Sequence, residues 1–341
     1  MNYENFLNTY ENKKVIENSN KVTKFPAVSV CVQTYQHKDF IVQCLDGILM
    51  QETTFEYEIL LGEDASKDGT REICIEYANK YPDKIRLFLH HRENNIEISG
   101  NPSGRFNFLY NLGFSKGKYI ALCEGDDYWT DPFKLQKQVE FLEQNLDYSI
   151  CFSDAKIEYS YKDSIIDSHN FQKERYKKEY NLYDILKGNF INTCTVIIRC
   201  DERPYPDYFL SSPVGDWVTY IHYAERGKIY YLKEVTSVYR IHDEGIFQHH
   251  HNWSIDRHIR SRNQFIDLRR NLLRQFSSNL EAVKIINERI NNAYMELIIL
   301  ESKKRPFDLR AFTRQLQCFM TSGMTIKNTL RLVKKTAESI N

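Results

Sequence analysis

The chain has 341 residues, of which 42% are hydrophobic and 27% are charged, and its 46 basic residues balance its 46 acidic residues. This composition excludes a disordered or fibrous protein. A net charge of zero argues against a general nucleic-acid binder, which needs an excess of Lys and Arg to neutralise phosphates. The sequence has no apolar run that approaches the roughly 20 residues of a membrane span. We therefore expect a globular protein with a substantial core and an extension.

The N-terminus and the cysteines both predict a cytoplasmic protein. The first residues, Met1 to Phe6, lack the basic start and the apolar run of a signal peptide. The eight cysteines form no Cys-x-x-Cys pair, and most of them fall in apolar strand or helix patterns. We therefore expect buried, reduced thiols and not zinc ligands.

Strands and helices alternate along the first half of the sequence. Short apolar runs predict strands at 28–34, 57–62, 84–89 and 118–123, and apolar residues at helical spacing predict a helix after each of the first three. A helix at 135–146 and strands at 149–153 and 194–198 follow. This alternation predicts an α/β fold with a doubly wound, mostly parallel sheet.

Two later segments depart from the alternation. Residues 160–181 are polar and poorly periodic, which predicts a surface loop or a flap that moves on ligand binding. Beyond about residue 253 the pattern is helical only, so we predict a catalytic domain at 1–248 and a helical C-terminal extension at 249–341. Residues 301–341 carry nine Lys or Arg against three acidic residues. They predict a peripheral contact with acidic lipids or a homodimer contact, the alternative being a helical face that packs on the body of the protein.

The segment from 119 to 129 is the most informative part of the sequence. An apolar strand ends there in three carboxylates, Glu124, Asp126 and Asp127. Carboxylates this close repel one another, and ligands of α/β sheets bind at the carboxyl ends of strands, so a divalent cation with phosphate oxygens would explain the cluster. The alternative is that these residues only open a turn or cap the next helix.

Three further motifs accompany the acidic strand end. Thr34-Tyr35 closes the first strand, and Asp64 follows the second. Asp216, between Gly215 and Trp217, opens a helical pattern, either as a cap or as a proton acceptor at a pocket edge. The last motif is Tyr239-Arg240-Ile241-His242, in which Arg240 and His242 alternate on a strand and therefore project to one face.

With these motifs in this order, residues 25 to 245 resemble the family 2 glycosyltransferases of the GT-A fold. The resemblance implies a Rossmann-like nucleotide-binding sheet in which Thr34, Tyr35 and Asp64 hold the nucleoside of the donor. The family's Asp-x-Asp metal motif maps onto Glu124-Gly125-Asp126, with Glu in place of the first Asp. It implies that Asp126 binds Mn²⁺ or Mg²⁺, while Glu124 touches the metal, the sugar or the ribose.

The resemblance also implies roles for the other motifs. Asp216 takes the place of the catalytic base, Arg240 lies close to the leaving diphosphate, and His242 contacts phosphate or the metal. Asn111 and Lys116, in the helix and turn before the acidic strand, either face the diphosphate or only shape that turn. Arg105 is a further candidate for phosphate contact, because a guanidinium matches phosphate oxygens.

The implied activity is that of an inverting glycosyltransferase in surface polysaccharide synthesis. Its donor would be a nucleoside diphosphate sugar, most commonly a UDP-sugar, and its acceptor a glycan or a lipid-linked glycan. One alternative is a catalytically idle nucleotide-binding or carbohydrate-binding module. A sugar nucleotidyltransferase is disfavoured, because the residues after the first strand, 34–37, contain no glycine cluster to wrap a triphosphate.

Overall fold

The computed structural model describes residues 1–98, 100–160, 164–166, 177–201, 204–242, 245 and 253–304. The chain forms two compact units, residues 1–248 and residues 249–341. Most of the predicted flap at 160–181 and nearly all of the basic segment at 301–341 lie outside the described residues. The predictions of a mobile flap, a lipid contact and a dimer contact therefore stay predictions.

The first unit alternates strands and helices up to the acidic strand. Its elements are α1 Tyr3–Tyr10, β1 Ile16–Glu17, β2 Val28–Thr34, α2 Ile41–Leu49, β3 Tyr57–Glu63, α3 Thr70–Lys80, β4 Ile85–Leu89, β5 Ile96–Ile98, β6 Asn101–Ser103, α4 Arg105–Phe114 and β7 Tyr119–Leu122. After β7 come β8 Tyr128–Trp129, α5 Lys134–Gln144, β9 Tyr148–Tyr159, β10 Ser164–Ile166, β11 Glu179–Tyr180, α6 Leu182–Lys187, β12 Val196–Arg199, α7 Asp216–Ala224 and β13 Lys228–Ile241. The strands predicted around 28–34, 57–62, 84–89 and 118–123 are all present.

Within the described residues, eleven strands form one sheet. Its main order is β1-β4-β3-β2-β7-β12-β9-β13-β11, with β10 paired to β9 and β8 paired to β13. The central strands β4, β3, β2 and β7 run parallel, β12 runs antiparallel between β7 and β9, and β13 runs parallel to β9. This mixed, mostly parallel sheet with flanking helices confirms the predicted α/β fold.

The strands that lead to the predicted site are buried in the core. Every residue of β2 and of β3 is buried, and Val30, Ile59 and Ala121 belong to one apolar cluster with Leu45 of α2. Burying an aliphatic side chain of this kind contributes about 1.5–3 kcal/mol. Six of the described cysteines are buried, Cys200 is partly buried, and all seven are free thiols. The prediction of reduced thiols is confirmed for the described residues.

The second unit is helical where it is described. It contains α8 Ile255–Gln275 and α9 Leu280–Lys304, and a small core forms around Ile266 and Leu297. The hydroxyl of Ser254 caps α8 by accepting a hydrogen bond from the backbone N–H of Arg257 at 3.2 Å. The helical extension predicted from the sequence is confirmed over these residues. Among the helices described, none has both the length and the apolar character that crossing a bilayer requires.

Candidate active site at the carboxyl ends of the strands

The ends of β2, β3 and β7 meet at one edge of the sheet. Thr34 pairs with Glu63 across β2 and β3, and the chain beyond β7 continues along β2, because the backbone N–H of Gly125 donates to the carbonyl of Gln33 at 2.9 Å. A Cβ on Gly125 would lie only 2.7 Å from Thr34 Oγ1. This close approach requires glycine, and it brings the acidic strand end against Thr34.

Asp64 lies at this edge with one carboxylate oxygen that accepts no hydrogen bond from the described residues. Its Oδ2 accepts hydrogen bonds from Arg92 Nη1 at 2.6 Å and from Asn95 Nδ2 at 3.0 Å. Its Oδ1 is buried and has no hydrogen-bond partner among the described residues. Burial raises the pKa of Asp64 to about 6, although the charge of Arg92 acts in the opposite direction. A buried acceptor of this kind is suited to a ligand N–H.

An aromatic surface lies next to Asp64. Tyr35 is 40% exposed, and the guanidinium of Arg92 lies 4.1 Å from the centre of its ring. Thr34 Oγ1 is another buried polar atom without a partner in the described part of the chain. The structure therefore brings the three predicted nucleoside residues to one place, with unpaired acceptors and an exposed aromatic ring.

Asp126 lies between two histidines. Its Oδ2 is 3.0 Å from His242 Nε2 and 4.0 Å from His37 Nε2. Burial raises the pKa of Asp126, but the hydrogen bond with His242 and the charges of both histidines outweigh burial and leave the pKa below its ordinary value. One ionised carboxylate and two imidazoles within 4.8 Å of one another form a donor set that fits a divalent metal.

Glu124 and Asp216 share the neighbourhood of one guanidinium, that of Arg105. Burial, and then the negative charges of Asp126 and Asp216, raise the pKa of Glu124 to about 8, while Arg105 lowers it. Burial also raises the pKa of Asp216, against the effects of the Trp217 backbone N–H and of Arg105. Two carboxylates with raised pKa values beside one cation are typical of catalytic sites.

Arg105 and Asp216 each form a hydrogen bond with a neighbouring part of the protein. Arg105 is 7% exposed, donates from Nη2 to the carbonyl of Ser212 at 2.9 Å, and has a buried Nε without a partner in the described residues. Asp216 is the first residue of α7, and its Oδ2 accepts from Asn189 Nδ2 at 2.7 Å. The side chain of Asp216 is thus oriented by Asn189 and does not act only as a helix cap.

Arg240 is engaged by the protein itself. It is 3% exposed, and it donates to the carbonyl of Asp126 at 2.8 Å, to Glu158 at 3.3 Å and to Gln43. Its backbone N–H donates to Asp127 Oδ1 at 2.9 Å. Arg240 therefore fastens β13 to the acidic strand end and places His242 beside Asp126. The predicted contact between Arg240 and the diphosphate stays a prediction.

The structure corrects the predicted positions of Asn111 and Lys116. Asn111 is fully buried, and its amide donates to the carbonyls of Val32 and Leu60 at 3.1 Å, so it joins α4 to the sheet. The backbone N–H of Lys116 donates to Ser29 Oγ at 3.0 Å, near the start of β2. Five residues of β strand, roughly 16 Å, separate Ser29 from the carboxyl end of β2. Neither residue lies at the ligand edge.

Four residues that the sequence prediction missed lie at this edge, namely His37, Arg92, Asn95 and Asn189. His37 lies three residues after the end of β2, and Arg92 and Asn95 follow the end of β4. Their position just after a parallel strand was a usable signal. Asn189 lies in the connection between α6 and β12, and no sequence pattern distinguishes it.

The comparison with protein families agrees with this geometry. The model of glycosyl transferase family 2 matches residues 29–201. An uncharacterized protein of Mycobacterium tuberculosis is 36% identical over 220 residues, a match that covers 64% of this chain and about three fifths, 60%, of that protein. The putative teichuronic acid biosynthesis glycosyltransferase TuaG of Bacillus subtilis is 26% identical over 223 residues, which cover 65% of this chain and 81% of TuaG.

A solved structure shares the fold. The crystal structure of S. aureus TarS 1–349 superposes with a TM-score of 0.56 at 15% sequence identity, covering 86% of this chain and 80% of that one. At this identity the likeness concerns the fold alone, and it confirms the predicted GT-A architecture. The family match spans half of the chain and includes the ends of β2, β3 and β7. The chain belongs to glycosyl transferase family 2.

Proposed function

We propose that the protein is an inverting glycosyltransferase that moves a sugar from a nucleoside diphosphate sugar, with a UDP-sugar as the expected donor, to a hydroxyl of a glycan or lipid-linked acceptor. The observation that carries the proposal is the convergence of Glu124, Asp126, Asp216 and Arg105 at the edge where Asp64 offers an open oxygen. The named role of the relative TuaG in teichuronic acid biosynthesis supports a place in surface polysaccharide synthesis.

The donor nucleoside would occupy the space between Thr34, Tyr35 and Asp64. Asp64 Oδ1 can accept the imide N–H of uracil, an interaction that cytosine cannot offer because its ring N3 carries no hydrogen. The exposed ring of Tyr35 offers a surface on which a base can stack. Thr34 Oγ1 can bind a donor hydroxyl. Guanine also carries a ring N–H, so the choice between uracil and guanine requires measurement.

The diphosphate and the metal would lie at the acidic strand end. Asp126 and His242 would hold Mn²⁺ or Mg²⁺, with Glu124 close to the sugar or the ribose. When bound, the ion would offset the negative charge that develops on the departing diphosphate. Arg105 is buried beside Glu124 and Asp216, where its charge would act on the same phosphates.

Asp216 would remove the proton from the acceptor hydroxyl. Its raised pKa makes it a stronger base than an exposed aspartate, and Asn189 fixes the direction of its carboxylate. General base catalysis of this kind contributes roughly 10²- to 10⁴-fold in rate. Attack by the activated hydroxyl in one displacement inverts the anomeric carbon.

Ligand binding is tested by thermal shift with UDP, GDP, CDP and dTDP, each with Mn²⁺ or with EDTA. A ligand that binds only the native state raises the melting temperature. We expect a shift with UDP and Mn²⁺ that EDTA removes and that Asp126→Ala abolishes. A response to GDP alone would replace uridine by guanosine, and no shift with any nucleotide would support an idle carbohydrate-binding module.

The catalytic base is tested by Asp216→Asn, with Asp207→Asn as the matched control because the Asp207 side chain is 91% exposed. We expect Asp216→Asn to bind UDP normally while its release of UDP from the preferred UDP-sugar falls roughly 10²- to 10⁴-fold. Asp207→Asn should keep both properties. Full activity of Asp216→Asn would remove that residue as the base.

A further inference from the structure

Three potential metal ligands come from three separate parts of the chain. His37 lies in the loop between β2 and α2, Asp126 follows β7, and His242 follows β13. The ligand atoms of these side chains lie within 4.8 Å of one another, and the two imidazole rings are perpendicular, with centres 6.2 Å apart. The metal ligands expected from the sequence are Asp126, His242 and Glu124, and His37 is not among them.

The spacing of these atoms fits a single first-row metal ion. Nitrogen and oxygen ligands lie about 2.0–2.2 Å from such an ion, so two ligands of one ion are about 3.0 Å apart at a right angle and about 3.5 Å apart at a tetrahedral angle. Asp126 Oδ2 lies 3.0 Å from His242 Nε2 and 4.0 Å from His37 Nε2. A small rotation of the His37 ring would bring all three atoms into one coordination shell.

The backbone holds His37 at this place. Gln36 has a left-handed φ of 59°, and its N–H donates to Ser66 Oγ at 2.9 Å, while the N–H of His37 donates to Thr70 Oγ1 at 2.9 Å. A Cβ on Gly125 would lie 2.9 Å from His37 Nδ1. The neighbouring loop and a glycine thus bring the imidazole against the acidic strand end, which a surface histidine would not need.

We propose that His37 is a third protein ligand of the metal at Asp126 and His242, and that the two imidazoles select a transition-metal ion over Mg²⁺. The inference rests on the proposed function in taking this site to be the metal site. Mg²⁺ prefers oxygen ligands and retains its waters, whereas imidazole nitrogen suits the later first-row ions. The expected order of affinity is therefore Co²⁺ above Mn²⁺, and Mn²⁺ above Mg²⁺. Three protein ligands leave positions for diphosphate oxygens.

The experiment titrates EDTA-treated full-length protein with Co²⁺, Mn²⁺ or Mg²⁺ by calorimetry and records the visible absorption of bound Co²⁺. We expect Mg²⁺ to bind at least roughly 10-fold more weakly than Co²⁺. His37→Ala should weaken Co²⁺ binding roughly 10-fold or more and change the Co²⁺ spectrum, while Mg²⁺ binding changes less. His258→Ala, in α8, is the matched control and should behave as the wild type.

His37→Gln provides a second variant that keeps a polar side chain with an oxygen ligand. It should lower Co²⁺ affinity while narrowing the preference over Mg²⁺, with circular dichroism unchanged. Equal affinity for Mg²⁺ and Co²⁺, or unchanged Co²⁺ affinity and spectrum in both His37 variants, overturns this inference and leaves the proposed function intact. A wild type that binds none of the three ions, with and without UDP, overturns the inference and the metal assignment together.

Discussion

At the amino edge of the sheet, where β2 and β3 begin, the buried carboxylate of Glu58 is fully engaged. It accepts hydrogen bonds from Ser29 Oγ at 2.7 Å and from Arg86 Nη1 at 3.2 Å. At the carboxyl edge, where the same strands end, Asp64 Oδ1 and Thr34 Oγ1 are buried without partners among the described residues. Glu58, the second residue of β3, and Asp64, just after the end of β3, are both buried acidic residues. Both oxygens of Glu58 accept hydrogen bonds, whereas one oxygen of Asp64 accepts none.

The difference separates structural charge from functional charge. Arg86 also donates to Glu17 at 3.0 Å and to the carbonyl of Phe114 at 3.1 Å, so the amino edge forms a closed network. At the carboxyl edge, burial raises the pKa of Asp64 to about 6 and, with neighbouring carboxylates, that of Glu124 to about 8. Unpaired buried groups cost stability unless a ligand satisfies them. We infer that the carboxyl edge is built for a ligand and the amino edge for the fold.

The largest expected effect comes from breaking the closed network. Glu58→Ala should lower the free energy of unfolding by about 3 kcal/mol, because Arg86 is left buried with less compensation. The matched control is Glu56→Ala, whose carboxylate is 66% exposed and pairs with Lys84, and which should cost less than about 1 kcal/mol. Urea unfolding measures both values. The folded fraction of Glu58→Ala should retain its affinity for UDP, and equal losses in the two variants would contradict the contrast between the edges.

The sequence predicts which residues lie together at the carboxyl edge, because their position depends only on where the parallel strands end. Carboxyl ends of parallel strands lie at one edge, so locating β2, β3 and β7 already placed Thr34, Asp64 and Asp126 together. The same reasoning would have found Arg92, which follows β4. The acidic motif and its resemblance to family 2 then indicated the chemistry.

The misplaced residues depended on contacts that the local sequence does not contain. The sequence leaves Asn111 either facing the diphosphate or shaping the turn, and α4 directs this face toward the sheet, where Asn107 also donates to the carbonyl of Gly62 at 2.8 Å. Lys116 lies in a turn that returns the chain to the opposite edge, next to Ser29. The position of His37 depends on residues about 30 positions further along the chain, because Ser66 accepts a hydrogen bond from Gln36 and Thr70 accepts one from His37. Tertiary packing decided all three positions.

A smaller effect tests how much folding stability is lost by burying the ionised carboxylate of Asp64. Its pKa in the folded protein, about 6, is above the ordinary value near 3.9. The folded state therefore holds the proton more tightly than the unfolded state, and the resulting loss of stability is absent below about pH 4, grows as pH rises, and is complete above about pH 6. Asp64→Asn should raise stability by about 1–3 kcal/mol at pH 8 and by nothing at pH 4, while weakening UDP binding.

Asp68, four residues further along, provides a control of opposite sign. Burial raises its pKa, but hydrogen bonds from Thr70 and Lys38 outweigh burial and leave the pKa below its ordinary value. Its contribution is therefore favourable at neutral pH and is lost as pH falls through the folded pKa. Asp68→Asn should lower the melting temperature at pH 8. Melting curves of both variants from pH 4 to pH 8 decide the matter, and a pH-independent gain for Asp64→Asn would refute the assigned burial cost.

The smallest expected effect concerns the shape of the open edge. A Cβ on Gly215 would lie 1.9 Å from Arg105 Nη1, whereas a Cβ on Gly104 would meet no atom within 4 Å. Gly215→Ala should therefore push the guanidinium of Arg105 away from Glu124 and Asp216, and we expect transfer to fall roughly 10-fold, about 1.4 kcal/mol in transition-state stabilisation. Gly104→Ala lies next to Arg105 and should leave transfer unchanged. Equal losses of activity in both variants would show that transfer depends on the backbone at the start of α4 and not on the approach of Arg105 to α7. If neither variant loses activity, Arg105 is a structural cation like Arg86. The two edges would then differ less in function than their buried charges suggest.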